Sequence, residues 1–197
     1  TSIDTLRASY QAASALFIDA ADNQSVMVAG LKLAKAGGAD TSATMKVLTQ
    51  TIRAYNLSAG DATKVSAVLN KTIQLGITTM PELANGFAQA SVTANAAKIK
   101  LEELAGAVAA LTLKGFDTPS ALTGIESLSR AIITKTPQAA AALRELRDEQ
   151  GKAIKFDISE IKTKGFTKAL QDLNVAAKGN AEVLREILPD ATAYNTA

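Results

Sequence analysis

The 197-residue sequence contains no cysteine, no histidine and no tryptophan, and aromatic residues make up only 4% of it. Without cysteine, the chain can form no disulfide scaffold and has no thiol nucleophile. Without histidine, it also lacks the usual ligand sets of zinc sites and the imidazole base of many hydrolases. With so few aromatic residues, a core must be built from Leu, Ile, Val and Ala, and this mixture favours closely packed helices.

A block of charge of one sign is also lacking. The 21 Lys and Arg residues and the 19 Asp and Glu residues are interleaved and give a net charge of +2. We therefore expect no specific binding to nucleic acid, which requires a basic patch or stripe. No uncharged apolar run reaches about 18 residues, so the sequence predicts no membrane-spanning helix. The first residues, TSIDTLRASYQAASALF, have no basic leader, so we expect no signal peptide and interpret the chain as a segment of a longer protein.

The sequence does contain many apolar residues at helical spacing, and 47% of the chain is hydrophobic while 20% is charged. Residues 41 to 55, 61 to 75, 101 to 114 and 118 to 132 each place their large apolar side chains on one face. These windows predict an all-α fold, a bundle or irregular array of short antiparallel helices joined by Gly/Asn C-caps and Thr-Pro N-caps. Only Ala153 to Ile158 is expected to be extended. We expect one helical domain over residues 1–197, with a helical prelude (1–40), a helical core (41–150) and a charged linker with C-terminal helices (151–197).

Short breaks separate the helical windows, and each contains the residues of a helix end followed by those of a helix start. The predicted ends are glycines or asparagine, namely Gly38, Asn56, Gly76, Gly115 and Gly165. The predicted starts carry hydroxyl caps: Thr118 with Pro119, Thr136 with Pro137, Thr79 with Glu82 in a capping box, and Ser58 with Asp61. The break at Asn95 to Lys98 is less clear.

The tripeptide Lys-Gly-Phe occurs twice, at residues 114 to 116 and 164 to 166. We interpret both copies as one structural device, in which glycine ends a helix and the following phenylalanine is buried to pin the turn. Phe116 and Phe166 are therefore predicted to be buried, and replacing Phe116 with Ala should then cost about 3 to 5 kcal/mol. Ile77, which follows Gly76, is likewise expected to fold back onto the preceding turn.

Four features invite a chemical interpretation, and each has a simpler one. Adjacent carboxylates at Glu102 and Glu103, and at Asp148 and Glu149, point about 100° apart on a helix and do not converge; the first pair suits a helix start. The mixed charges from Arg144 to Lys164 favour a solvated face over a docking surface. GLKLAKAGG lacks the spacing of a phosphate loop, and no S-x-x-K motif has its supporting context. We predict no catalytic, cofactor-binding or metal-binding residues, and no enzymatic activity.

Three segments occur in a characteristic order: TQTIRAYNLSAGDATKVSAVLNKTIQLGITTMPELANGF, LEELAGAVAALTLKGFDTPSALTGIESL and FDISEIKTKGFTKALQDLNVAAKGNAEVLREIL. This ordered set resembles the conserved core of phage tail tape measure proteins, a group of minor tail proteins, over roughly residues 40 to 190. One departure is Lys98, which stands where the family tends to have glycine. Because left-handed backbone costs a residue with a Cβ about 1 to 2 kcal/mol, we expect an uninterrupted or kinked helix there.

The resemblance implies a structural protein that sets tail length during assembly, occupies the lumen of the tail tube in the virion, and leaves ahead of the genome at infection. Assembly would take place in the host cytoplasm. The implied partners are the tail tube protein, tail assembly chaperones and tail tip proteins, together with self-association, and no cofactor is implied. Two alternatives remain: a helical adaptor that binds a partner helix, and a membrane-active bundle that contacts the host membrane at infection.

A protein that sets tail length as a molecular ruler must be long, whereas a folded domain is compact. The whole chain as one helix would span about 300 Å, but folded compactly it would have a radius of gyration of about 16 Å. Our hypothesis is that the compact bundle and an extended helical form are alternative states, with Gly38, Gly76, Gly115 and Gly165 as hinges.

Overall fold

The computed structural model describes residues 3–14, 19–148 and 150–187, and these ranges contain twelve α-helices, one short 3-10 helix and no β-strand. Helix accounts for 76% of the structure, so the predicted all-α class is confirmed. The helices are α1 (Ile3–Ser14), α2 (Ala20–Ala36), α3 (Thr41–Ala54), α4 (Ala62–Leu75), α5 (Met80–Ala84), α6 (Phe87–Ala96), α7 (Leu101–Leu113), α8 (Thr118–Ile133), α9 (Pro137–Glu145), α10 (Ile158–Lys164), α11 (Phe166–Ala176) and α12 (Ala181–Ile187), with the 3-10 helix at Ala59–Asp61.

The contacts of the chain divide it into two compact units. Unit 1 comprises residues 1–92 and 105–122, and unit 2 comprises residues 93–104 and 123–197. The boundaries fall inside α6, α7 and α8, so each of these helices contributes residues to both units.

Unit 1 is built around α2 and α3. Helix α2 packs against α1, α3 and α4, and α3 packs in turn against α1, α4 and α5. The predicted apolar faces supply its core, with Met45, Leu48 and Ile52 from α3 and Val65 and Leu69 from α4, all 1% exposed or less. The outer members of those faces are only half-buried, namely Tyr55, Val68 and Ile73.

Unit 2 has a core with more aromatic character. Phe156 and Phe166 are 1% and 2% exposed, and Leu173 of α11 is fully buried. Helix α10 packs against α11, and α9 packs against α12. The faces that these two helices bury are marked by Leu143 of α9 and by Leu184 and Ile187 of α12.

The segment expected to be extended forms a single antiparallel bridge, Arg147 to Ala153, and no strand. Ile158, which we expected to end the extended segment, is instead the first residue of α10. The reason is local: Asp157 is the N-cap, and its Oδ1 accepts the Glu160 N–H at 3.0 Å. A capping carboxylate of this kind sets where a helix begins.

Buried hydroxyl groups show a common pattern in the described helices. Six of them donate to the carbonyl four residues earlier in their own helix, at 2.7 to 3.0 Å. They belong to Thr44, Thr49, Thr72, Ser91, Thr112 and Ser129. Such back-bonding satisfies a buried hydroxyl without a partner helix. These six bonds therefore do not link one helix to another.

Candidate functional site

The residues singled out by the sequence lie at connections between helices, here called joints. Gly38 and Asn56 follow α2 and α3 with left-handed φ values of +58° and +52°. At each joint the next residue donates its N–H to the carbonyl five residues earlier: Ala39 to Ala34 at 3.0 Å, and Leu57 to Ile52 at 2.9 Å. This is the long-range bond of a Schellman motif, so both joints end their helices by local geometry alone.

Gly76 is the C-cap of α4, but its backbone is extended, with φ −104° and ψ 175°. A Cβ on Gly76 would lie 2.9 Å from the Cα of Ala109 and 2.7 Å from Oγ1 of Thr112. Glycine is needed here because α7 passes close to the backbone, and not because of a left-handed turn. Ile77 does not fold back onto the preceding turn as expected, since 69% of its surface is exposed.

The α4–α5 connection is bonded to both ends of the α7–α8 connection. The Ile77 N–H donates to Oγ1 of Thr112 at 3.1 Å, and Oγ1 of Thr118 donates to Oγ1 of Thr78 at 2.7 Å. Thr78 and Thr118 are both buried. We call this set of contacts, together with Gly76, the linker clasp. Within unit 1 the clasp connects two of the joints that the sequence suggested as hinges.

The prediction that Thr118 caps α8 is wrong. Oδ1 of Asp117 accepts the Ser120 N–H at 2.7 Å, so the capping bond comes from one residue earlier. The Thr118 hydroxyl is bonded to Thr78 instead, and a carboxylate is the stronger acceptor. The bonds from Ser120 lower the pKa of Asp117. Pro119 is exposed in the first turn of α8, a position that suits its fixed φ and missing N–H.

The first Lys-Gly-Phe joint lies at an open surface of unit 1. Gly115 has φ +96°, and the Phe116 N–H donates to the Leu111 carbonyl at 3.2 Å. A Cβ on Gly115 would meet nothing within 4 Å. The prediction that Phe116 is buried is wrong, because its side chain is only half-buried. The turn is held by its backbone bonds, and the ring covers it only in part.

The second Lys-Gly-Phe joint is partly covered within unit 2, with Lys164 exposed, Gly165 half-buried and Phe166 buried. Gly165 ends α10 and begins the next helix at once, with φ +84° and ψ 162°. Phe166 is the first residue of α11 and is 2% exposed. Its N–H donates to Oε1 of Glu103 at 2.7 Å, and Oε2 of the same carboxylate accepts the Lys100 N–H at 3.2 Å. Glu103 therefore joins the start of α7 to the start of α11.

The sequence suggested only half of this role for Glu103. A carboxylate in the first turn of a helix is a recognisable start signal. Its second bond spans 63 residues, and no local pattern indicates such a pairing.

The turn before α7 differs from our expectation. Lys98 adopts left-handed φ, at +64°, and the Ile99 N–H donates to the Ala94 carbonyl at 2.9 Å. The helix is therefore fully broken, and the prediction of an uninterrupted or kinked helix is wrong. Ile99 is 1% exposed, and burying a side chain of this size contributes about 1.5 to 3 kcal/mol. That gain offsets the cost of left-handed backbone at lysine, about 1 to 2 kcal/mol.

The charged stretch near α10 and α11 forms a network of ion pairs. Nζ of Lys164 lies 2.7 Å from Glu160 and 3.0 Å from Asp172, while Lys168 lies 2.6 Å from Asp172. The bonds from Glu160 and Asp172 raise the pKa of Lys164, and those from Lys168 and Lys164 lower the pKa of Asp172. The four residues line a groove of about 500 Å³, here called the ion-paired groove.

The described residues form neither a metal-binding cluster nor a membrane-spanning helix. Residues 3–14, 19–148 and 150–187 contain no group of three or more acidic side chains arranged to hold a metal ion. Among the same residues, no helix is both long enough and apolar enough to cross a lipid bilayer.

The structure thus defines a helical protein whose distinctive residues shape the backbone at joints between short helices. The chain matches the family model of phage-related minor tail proteins over residues 1–188, and it belongs to that family. It is therefore a component of a phage tail. The match includes residues 1–40, so the resemblance noted in the sequence begins too late. No curated protein and no solved structure matches the chain significantly.

Proposed function

We propose that this chain is part of a tape measure that sets the length of the phage tail and fills the tail tube until the genome leaves. Its membership of the minor tail protein family supports a structural role in the tail. The observation that carries the proposal further is the back-bonding of six buried hydroxyls within their own helices. Helices of this kind can leave a bundle with these six side-chain hydrogen bonds unbroken. The side-chain bonds that separation would break are those of the linker clasp, of Glu103 with Phe166, and of Ser66 with the Ala29 carbonyl.

Two further features of unit 1 lower the cost of opening. Oδ1 of Asn23 and Oγ1 of Thr51 are buried without a hydrogen-bond partner among the described residues. Each such group costs about 1 to 3 kcal/mol in the folded state. Water would form hydrogen bonds with both groups once the helices separate. The free-energy difference that favours the compact state over an extended one is therefore smaller.

The proposed hinges of this opening are Gly38, Gly76, Gly115 and Gly165. Three of them have positive φ, and Gly76 is extended. Rotation at these positions would align successive helices while leaving each helix intact. The proposed partners are those of a tail component: the tail tube protein, assembly chaperones and tail tip proteins.

The unfolding free energy should lie within the usual range of about 5 to 15 kcal/mol, and a value well above it would contradict easy opening.

A measurement of tail length tests the tape measure proposal directly. Deleting residues 41 to 75 in frame from the phage gene removes 35 residues. If they are extended helix inside the tube, the tail should shorten by about 50 Å. Cryo-electron microscopy of purified tails measures this change. Replacing the same residues with 35 residues of an unrelated helix-forming sequence should restore the length, because a ruler counts residues.

The adaptor alternative gives the opposite result in the same experiment. If the segment acts through a docking surface, the deletion should leave tail length unchanged, or the unrelated helix should fail to rescue assembly. Either outcome would contradict the tape measure proposal.

A further inference from the structure

We propose that a groove on unit 1 between α3 and the α5–α6 region is a docking site for an acidic amphipathic helix of another protein. The groove has a volume of about 590 Å³ and is here called the α3–α6 groove. One wall is formed by Lys46, Gln50 and Arg53, which lie on the exposed face of α3. The opposite wall includes Gln89 and Val92 of α6.

Charge distinguishes this groove from the ion-paired groove of unit 2. The α3–α6 groove is lined by two cations and no carboxylate. Neither Lys46 nor Arg53 forms an ion pair within the described part of the chain. In the ion-paired groove, by contrast, Glu160 and Asp172 already neutralise Lys164 and Lys168. The α3–α6 groove therefore offers uncompensated positive charge to an acidic partner, whereas the other cations of the ion-paired groove, Lys152 and Lys155, share that groove with three carboxylates.

The floor of the groove suits a helix in particular. Between the walls, the groove is lined by Asn56 and Asn85 and by four small, half-buried residues that we take as its floor: Ala54, Ala84, Gly86 and Ala88. Small side chains let another helix approach closely, since the distance between packed helices depends on the side chains at the contact. Val92 is 53% exposed at one wall and offers an apolar contact. A partner helix with a narrow apolar stripe fits such a floor.

The spacing of the cations sets the pattern that the partner must carry. Lys46 and Arg53 are seven residues apart, which corresponds to two helical turns and about 10.5 Å along α3. A helix lying alongside α3 would meet both cations if it carried two carboxylates two turns apart. Pairs of this kind steer association and fix the register of the docked helix.

The described helices of residues 1–197 do not supply such a pair of carboxylates. The 19 acidic residues of the sequence include no two that are seven positions apart. Within the described helices, neither another segment of these 197 residues nor a second copy of them therefore presents matching carboxylates two turns apart. The charge pattern therefore favours an occupant from outside these residues, and the proposal assigns it to another protein.

The test uses the full 197-residue chain and a fluorescein-labelled helical peptide. The peptide carries two glutamates seven positions apart beside an alanine stripe, and a control peptide has glutamine at both positions. Fluorescence anisotropy should show binding of the glutamate peptide about tenfold tighter than that of the glutamine peptide, with weaker binding at higher salt. Equal affinity for the two peptides, or no binding of the glutamate peptide, would overturn the proposal.

Charge reversal in the groove has a matched control in the same unit. The double variant Lys46→Glu/Arg53→Glu should weaken binding of the glutamate peptide by about tenfold or more. The variant Lys35→Glu/Lys71→Glu changes net charge equally at exposed positions of α2 and α4, and should bind as the wild type does. Circular dichroism checks that both variants remain folded. Equal weakening by both would reduce the effect to overall charge and overturn the proposal.

The lack of cysteine allows the contact to be located directly. A bimane label on Val92→Cys should change its emission when the glutamate peptide binds, whereas the same label on Gln74→Cys, at an exposed position of α4, should not. A response at position 74 alone would place the peptide elsewhere and contradict the proposal. Sedimentation equilibrium tests whether a second copy of the chain occupies the groove. Self-association that is abolished by Lys46→Glu/Arg53→Glu would identify a second copy as the occupant and overturn the assignment.

These experiments are independent of tail length. A ruler responds to the number of residues, whereas docking in the α3–α6 groove responds to two side-chain charges. Failure of one proposal therefore leaves the other to be judged on its own result.

Discussion

The two Lys-Gly-Phe joints have the same three residues and different surroundings. At the first, Gly115 turns the chain at an open surface of unit 1, and Phe116 is half-buried. At the second, Gly165 leads without a linker into α11, and Phe166 is 2% exposed in unit 2. The tripeptide therefore specifies a helix end in both places, but it does not specify what becomes of the ring.

The difference follows from what lies beside each joint. Nothing comes within 4 Å of the Cβ position of Gly115, whereas Oε1 of Glu103 would lie 2.6 Å from a Cβ on Gly165. That carboxylate accepts the Phe166 N–H and fixes the start of α11. An isolated turn is sufficient for a hinge, while the second joint depends on a contact with a distant part of the chain. The first joint should therefore tolerate change better than the second.

The largest expected effect is at the phenylalanines. Phe166→Ala should lower the unfolding free energy by about 3 to 5 kcal/mol, because it removes a fully buried ring. Phe116→Ala should cost only about 1 to 2 kcal/mol, since a half-buried ring loses less contact with the protein. Urea denaturation followed by circular dichroism measures both. Equal losses would show that the two joints are alike after all.

Replacing the glycines should also destabilise the second joint more than the first, but the difference in unfolding free energy should be smaller than for the phenylalanines. Gly165→Ala should cost about 3 kcal/mol, because a Cβ meets Glu103 and the backbone lies in a region that only glycine adopts readily. Gly115→Ala should cost about 1 to 2 kcal/mol, the strain of left-handed φ without a clash. The same denaturation experiment compares them. A larger loss for Gly115→Ala than for Gly165→Ala would contradict the assignment of the open joint.

The next largest losses of stability are expected at the polar contact beside each joint. Glu103→Ala should cost about 2 kcal/mol, since it leaves the N–H of Phe166 without its charged acceptor. Thr118→Val, which breaks the neutral bond to Thr78 in the linker clasp, should cost about 1 kcal/mol. Glu103→Gln keeps an acceptor oxygen and should lose less than Glu103→Ala. If Gln and Ala are equivalent at this position, the hydrogen bond is not what stabilises the second joint.

The smallest effect concerns pH at the first joint. Hydrogen bonds from Ser120 lower the pKa of Asp117 in the folded chain. A depressed folded pKa stabilises the protein above the unfolded pKa, and this contribution is lost as the pH falls through the folded pKa. Asp117→Asn removes the titration. The stability of the wild type relative to this variant should therefore decrease between about pH 6 and about pH 2. A constant difference over that range would rule out this contribution.

The helix ends show how far local sequence predicts structure here. Gly38, Asn56 and Gly115 were predicted from residue type, and each has the left-handed φ that such caps use. The capping box of Thr79 and Glu82 is also present, with the Thr79 N–H donating to Glu82 at 2.7 Å. These features are predictable because their hydrogen bonds close within about five residues.

The errors share a different cause. The capping role of Thr118 was wrong because its hydroxyl is bonded to Thr78, 40 residues earlier. Continuity of the helix at Lys98 was wrong because burial of Ile99 offsets the strain of the turn. Gly76 was selected for the right residue type, but the reason for glycine is the approach of Ala109 and Thr112. Residue type at one position carries no information about which distant segment will lie beside it.

By itself, the sequence determined that this protein is helical, where several of its helices end, and which family of tail proteins it resembles. Those properties follow from apolar periodicity and from caps whose bonds are local. Only the tertiary structure decided which phenylalanine is buried, which carboxylate begins α11, and that a groove with two unpaired cations and no carboxylate forms beside α3. Each of these depends on two segments meeting in space, and the free energy of that meeting is a property of both segments together.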